Sequence, residues 1–392
     1  MSDGPDRDDL VKRFFTAPDE SFFLFGPRGT GKTLLAQQLF PGAQFIDLLR
    51  PEELRRFSAH PEMLEELTAG TGHRDVVIDE VQRCPAILDV VHALIEQRSG
   101  FRFVLTGSSA RKIRRADVDL LAGRALKRTL HPFMAAELAD RFDLDRALRF
   151  GLVPLVAQAD NPGEVISTYV DLYVHEEVKA EGLVRRLEDF SRFLEVIALS
   201  QACMLNISNI ARECEVGRRA VENYISILED LLLAVRLPVF SRRAARGLVA
   251  HPKLFLFDCG VFRALRPAGP LDSEAEIAGA ALEGLVFQHL RAWNAYRGEP
   301  NRLYFWRTRS GSEVDFVVYG KDGLFAIEVK SGQVIHNQDL RSLRAFRKDY
   351  PEASAILLYR GPHRRRIADI ACIPCQDFLR TLVPSENLPV ST

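Results

Sequence analysis

Phe22-Phe23-Leu24-Phe25-Gly26-Pro27-Arg28-Gly29-Thr30-Gly31-Lys32-Thr33-Leu34-Leu35-Ala36-Gln37-Gln38-Leu39 is the stretch that decides the fold. Its centre is a complete G-x-x-x-x-G-K-[ST] sequence, set between an apolar run that reads as a buried strand and a run that reads as a helix. Glycines let backbone N–H groups curl round a phosphate without Cβ clashes, and the following helix aims its positive end at the anion. Gly26, Pro27, Arg28, Gly29, Thr30, Gly31, Lys32 and Thr33 are therefore expected to cradle the phosphates of a nucleotide. Lys32 is expected on the β- and γ-phosphate oxygens and the Thr33 hydroxyl on Mg²⁺.

Two further strand ends suit that loop. Val76-Val77-Ile78-Asp79-Glu80 is an apolar strand ending in two acids. Asp79 is expected to hold Mg²⁺ through water, and Glu80 to polarise an attacking water. Val104-Leu105-Thr106-Gly107-Ser108 ends in polar groups, of which Thr106 or Ser108 would sense the γ-phosphate. Short apolar runs alternate with amphipathic ones through the first third, as in a parallel βα-alternating sheet. The expected strands are 21–25, 44–47, 75–79, 101–106 and 125–130. Helices follow from Leu144 to about Leu232, with a turn at Asp160-Asn161-Pro162-Gly163. Strands are expected again at 234–240, 253–258, 303–307, 314–318, 324–330 and 355–359, with a helix from Glu274 to about Tyr296.

At 392 residues the chain exceeds one ordinary core and fits two or three domains. Lys and Arg number 52 against 53 Asp and Glu, so any polyanion site must come from local clustering. No apolar run approaches the ~20 residues that span a bilayer, and MSDGPDRDD has no apolar leader core. No membrane partner is expected. Six cysteines are too few for a disulfide framework here, which points to a reducing cytoplasm. Cys372 and Cys375 lack a second ligand pair for zinc and read as buried thiols.

The loop, the Asp79-Glu80 strand end, the polar strand end and the phrase Leu120-Leu121-Ala122-Gly123-Arg124-Ala125 together resemble AAA-type ATPases of bacteria and archaea. More narrowly, almost the full length resembles prokaryotic ATPases that carry a C-terminal domain of unknown function. The resemblance implies ATP and Mg²⁺ as ligands. It also implies Arg124, just before the fifth strand, as an arginine reaching a neighbouring subunit's nucleotide. Arg115 is the second candidate, and Arg111 lies near the sensor strand. A finger acting in trans implies a homo-oligomer, with a hexamer as one ring size.

Leu205 to Gly217 reads as a short helix and a turn at Gly217, and Arg218 to Leu231 as a second helix. With strands 234–240 and 253–258 they make a winged helix-turn-helix pattern. Arg218 and Arg219 sit where a recognition helix meets phosphates, and Arg242, Arg243 and Arg246 form a basic wing. Duplex or branched DNA is the expected partner, held mainly by its backbone.

Gly311 to Val318 and Leu324 to Lys330 read as a hairpin turning at Lys321-Asp322-Gly323. Asp315 and Glu328 would lie side by side, with Glu328 and Lys330 on one face of their strand and Ile327 and Val329 in the core. Two carboxylates and a lysine converging there would bind Mg²⁺. This D…E-x-K arrangement resembles the restriction-endonuclease and resolvase fold. The resemblance implies Glu283, Asp315, Glu328 and Lys330 as one site, joined by Gln338 from the following helix.

The expected order is thus an α/β AAA-type P-loop core over 1–140, a helical lid or linker over 141–192, a winged helix-turn-helix over 193–265, and a nuclease-like α/β domain over 266–392. The expected activity is Mg²⁺-dependent ATP hydrolysis coupled to DNA binding or processing. Two other classes fit the same residues. One is a nucleotide-gated DNA- or protein-binding switch with an inactive nuclease fold. The other is an assembly ATPase acting on protein.

Overall fold

The computed structural model describes residues 11–70, 72–109, 123–174, 187–242, 247–270 and 272–390. Arg111, Arg115, Leu120, Leu121, Ala122, Arg243 and Arg246 lie outside these residues.

Five strands form the first sheet: β1 Phe22–Phe25, β2 Gln44–Asp47, β3 Asp75–Asp79, β4 Arg102–Gly107 and β5 Leu126–Thr129. They run in the order β2-β3-β4-β1-β5, and every pairing is parallel. Parallel strands are covered on both faces, which is why β1 reads as unbroken apolar sequence, and all four of its residues are buried. The order places β1 between β4 and β5, so the loop leaving its carboxyl end lies beside the end of β4, with the end of β3 one strand further on. That crevice is where open α/β sheets bind ligands.

Helices follow, as the middle of the sequence requires. Ile207–Glu213 and Arg218–Asp230 are joined by a short turn and precede the antiparallel pair β6 Ala234–Leu237 and β7 Lys253–Leu256. The turn falls differently from expectation. Glu215 takes the left-handed conformation, with φ 57°, while Gly217 at φ −69° starts the next helix. Strand β6 stops at Leu237 rather than Phe240, because Pro238 has no N–H to continue the ladder. The chain switches partner instead, and Phe305 donates to the Pro238 carbonyl while Phe240 donates to Phe305.

The second large sheet holds β8 Asn301–Arg307, β9 Glu313–Gly320, β10 Gly323–Val329, β11 Ser354–Tyr359, β12 Arg365–Ile367 and β13 Ile370–Pro374, in the order β12-β13-β11-β10-β9-β8. The β12–β13 pair was not expected, since Arg364-Arg365-Arg366 carries no alternating pattern. Helix Glu274–Tyr296 runs behind this sheet and is buried along most of its length. A single hydrophobic cluster extends from Val11 through the helical middle to Leu388, so these segments share one core. All six cysteines are free, and Cys372 and Cys375 are buried as expected. No helix among the described residues is long and apolar enough to cross a membrane.

His289 is a buried polar rivet on the long helix. Its Nδ1–H donates to the Leu285 carbonyl at 2.8 Å, and Nε2 accepts from the Ala135 N–H at 2.9 Å. The Nε2 bond requires the neutral ring, and burial pushes its pKa down to about 4 from 6.5, against the Leu285 bond, which favours the charged form. A depressed folded pKa gives stability that is complete above the unfolded value and is lost as pH falls through the window from 6.5 to 4. The full shift is worth on the order of 3 kcal/mol. Buried Asp258, pushed up to about 6, acts in the opposite direction, so a comparison isolates the histidine. Denaturant unfolding at pH 7.5 and pH 4.5 is expected to show a smaller loss of stability for His289→Gln than for the parent chain.

Candidate functional site

The loop after β1 is shaped by its glycines and braced from outside. Gly29 and Gly31 hold φ of 77° and 86°, the region in which a side chain is strained. Leu155 donates to the Gly29 carbonyl at 3.3 Å and Tyr169 to the Arg28 carbonyl at 2.9 Å. Inside the curve, the Lys32 ammonium donates to the carbonyls of Gly26 and Pro27 at 2.9 and 3.3 Å. Lys32 is 6% exposed, so its charge is directed inward at the loop rather than out to water.

Asp79 is the junction of the three strand ends. The Thr33 hydroxyl donates to its Oδ2 at 2.8 Å, and the Thr106 hydroxyl donates to Oδ1. Burial pushes the Asp79 carboxyl up, against the two hydroxyl bonds that favour its charged form. Glu80 follows in the left-handed conformation, with φ 57°, and its N–H donates to the Thr106 hydroxyl at 3.1 Å. Gln82 was not expected in the site. Its amide donates to the Glu80 carboxylate and, at 3.1 Å, to Ser108. A Cβ on Gly107 would lie 2.6 Å from Gln82 Oε1, so glycine leaves the room this amide needs. Thr106 and Ser108 thus divide the polar strand end: one faces Asp79, the other Gln82.

Arg13 and Tyr296 were also missed. Arg13 donates to both oxygens of Glu137 at 3.2 Å, to the carbonyls of Thr30 at 3.0 Å and His131 at 2.6 Å, and to the Tyr296 hydroxyl at 3.2 Å. The same hydroxyl accepts from the His131 N–H at 3.1 Å. This arginine carries no signal of the role in sequence, because the four residues named come from three separated stretches of the chain.

Beside the loop is a largely apolar cleft of about 380 Å³. Leu34, next to Thr33, forms one wall with Val11, and Phe142 and Phe150 form another. Arg124 lies at the turn before β5, as expected. Its guanidinium is 2.7 Å from Glu96 Oε1 and 2.8 Å from His92 Nε2 of the same chain.

Arg218 and Arg219 are exposed in the first turn of helix Arg218–Asp230. Arg242 is exposed and stacks 4.9 Å over the Tyr319 ring, which ties it to the C-terminal sheet.

In that sheet, Asp315 and Glu328 come together on β9 and β10 as expected, and Val329 donates to Asp315 Oδ2 at 2.8 Å. Lys330 reaches Glu328 Oε1 at 2.5 Å, on the face expected for both. Glu283 joins them from the long helix. The residue that sequence reading missed is Lys253, the first of β7. Its ammonium lies 2.8 Å from Glu283, 2.5 Å from Glu313 and 3.5 Å from Asp315. Burial alone would lower its pKa, but three carboxylates overcome that and hold it charged. Burial, with Asp315 adding to it, pushes Glu283 up to about 8 and Glu328 well above the carboxylate range. Gln338 is exposed on a short turn, Asn337–Leu340, ahead of the helix expected to carry it.

Comparison with known proteins matches three blocks of the chain. Residues 19–139 match the family described as AAA domain, 141–272 a domain of unknown function, DUF8612, and 278–378 another, DUF4143. The glycine-rich loop and the parallel five-stranded sheet lie within the residues that the first match covers. The uncharacterized protein Rv2008c of Mycobacterium tuberculosis is 24% identical, over 91% of this chain and 80% of its own. The uncharacterized protein MJ1544 of Methanocaldococcus jannaschii is 23% identical, over 78% and 73%. Among solved structures, the Thermotoga maritima RuvB Holliday junction branch migration motor is 17% identical over 56% of this chain and 82% of that one, with a TM-score of 0.27.

Tyr296→Phe removes one hydroxyl and leaves Arg13 and the His131 N–H each short of a partner. The loss expected in denaturant melts is about 1–3 kcal/mol, the cost of stranding a buried polar group.

Proposed function

We propose that this chain binds ATP and hydrolyses it with Mg²⁺. The observation that carries the reading is the meeting of Thr33 and Asp79, 2.8 Å apart, at the mouth of a phosphate loop with Lys32 inside it. A hydroxyl and a buried carboxylate converging there suit a hard cation that takes oxygen ligands. Thr33 and Asp79 would hold Mg²⁺, which when bound neutralises charge on the phosphate oxygens. Lys32 exchanges its carbonyl partners for β- and γ-phosphate oxygens. The loop N–H groups orient the phosphates, and the cleft at Val11, Leu34 and Phe142 takes the flat apolar base. Glu80 receives the proton of the attacking water, and Gln82 positions its carboxylate. Thr106 fixes Asp79 and the Glu80 backbone relative to each other.

Arg124 completing a neighbour's site remains part of the proposal, with a condition. Its contacts with Glu96 and His92 have to break on assembly, so a monomer should turn over slowly. A DNA partner is favoured by one observation. Arg218 and Arg219 stand exposed where a second helix begins, with the hairpin β6–β7 following, which is the arrangement of a winged helix-turn-helix.

Steady-state ATPase assays with nucleotide-binding titrations test the site. Lys32→Ala is expected to lower turnover at least about a hundredfold and to weaken binding. Glu80→Gln should keep ATP bound while losing about 10²–10⁴ in rate. Full affinity and turnover in Lys32→Ala would end the proposal. Duplex or forked DNA at ~50 mM salt should raise the rate, and Arg218→Ala with Arg219→Ala should remove the response.

A further inference from the structure

The nuclease-like resemblance implies a divalent metal between Asp315 and Glu328, with Glu283 alongside. The donor atoms do not fit that metal, because a buried ammonium already stands among them. Lys253 is 2% exposed at its side chain and bonds to Glu283, Glu313 and Asp315 at 2.8, 2.5 and 3.5 Å. The second oxygen of Glu313 is 2.6 Å from Arg307, and the second oxygen of Asp315 accepts from the Val329 N–H. Glu328 Oε1 is taken by Lys330, and its Oε2 is buried without a partner. Mg²⁺ wants about six oxygens near 2.1 Å in octahedral array, and here an ammonium already stands among the carboxylates that would supply its protein ligands. Among the described residues no group of three or more His, Cys, Asp and Glu side chains is arranged to hold a metal.

We propose that Lys253 is the resident cation of this site, its ammonium standing among the carboxylates where the nuclease-like fold places a divalent ion. An ammonium has three donors, and here three carboxylates surround it. The choice has a consequence for function. Lys253 belongs to β7, which pairs with β6 straight after the helix bearing Arg218 and Arg219, whereas the acids belong to β9 and the long helix. The charge network therefore fastens the proposed DNA-binding segment to the C-terminal sheet. The C-terminal sheet then acts as a clamp rather than as a metal-dependent cutting site. Lys253 also stacks 5.6 Å from the Phe305 ring, so its stem and head are both enclosed.

Removal of the lysine should unmask an acidic pocket competent for a cation. The test uses nucleotide-free full chain carrying Asp79→Asn, which takes away the metal carboxylate of the P-loop and keeps the readout independent of ATP turnover. Mn²⁺ binding is followed by electron paramagnetic resonance and by melting temperature. In this background the chain is expected to bind no Mn²⁺ up to millimolar concentration, and Glu283→Gln is expected to leave that result unchanged. Adding Lys253→Met should lower the melting temperature by several degrees without metal, and Mn²⁺ should restore part of the loss with one ion bound. One Mn²⁺ bound by the chain with Lys253 intact, and released by Glu283→Gln or Asp315→Asn, would overturn the proposal. So would a folded Lys253→Met variant that neither melts earlier nor takes up Mn²⁺. Should that variant not fold, the Mn²⁺ measurement on the lysine-containing chains still decides the matter.

Discussion

A buried guanidinium ties the glycine-rich loop to the segment after β5 and to the end of the long helix. Arg13 is 6% exposed at its side chain and cannot shed its charge, so it persists there only with its donors engaged. Glu137 supplies the countercharge, and the same carboxylate accepts from the N–H groups of Phe14 and Met134 at 2.7 and 2.9 Å. The remaining donors go to Thr30 in the phosphate loop, His131 beyond β5 and Tyr296 at the end of the long helix. Breaking one member of such a buried pair typically costs about 3–5 kcal/mol, because the other charge is stranded. The carbonyl of Thr30 and the hydroxyl of Tyr296 therefore share one cation although they are far apart in sequence. A shift of the phosphate loop has a physical route to the end of the long helix, Glu274–Tyr296, through that contact.

Two acid-bearing strand ends in this chain look alike in sequence and differ in surroundings. Asp79 is met by two hydroxyls, and the Lys32 ammonium donates to the loop carbonyls of Gly26 and Pro27. Asp315 and its neighbours are met by Lys253, Lys330 and Arg307, whose ammonium and guanidinium groups already supply the positive charge. Burial raises the proton affinity of carboxylates at both places. The identity of the nearest cation, and not the count of carboxylates, separates a ligand site from an internal salt network.

Much of this was written locally. The G-x-x-x-x-G-K-T run, the apolar β1 and the Asp79-Glu80 strand end are contiguous stretches whose chemistry depends on spacing of a few residues, and the parallel sheet follows from alternating runs. Strand alternation likewise put Asp315 beside Glu328 and Lys330 on the face of Glu328. Local pattern failed where geometry hinges on one residue's backbone. Glu215 instead of Gly217 takes the left-handed turn, and Pro238 ends β6 early.

The sequence by itself determined the phosphate loop, its acidic partner strand and the α/β character of both sheets, because each rests on neighbours along the chain. Only the tertiary structure decided that Lys253 would reach Glu283, 30 positions away, and that Arg13 would reach Tyr296, 283 positions away. Neither residue sits in a recognisable motif. A buried charge is stable only where folding delivers its partners, and those partners are chosen by packing across the core rather than by periodicity within any one element.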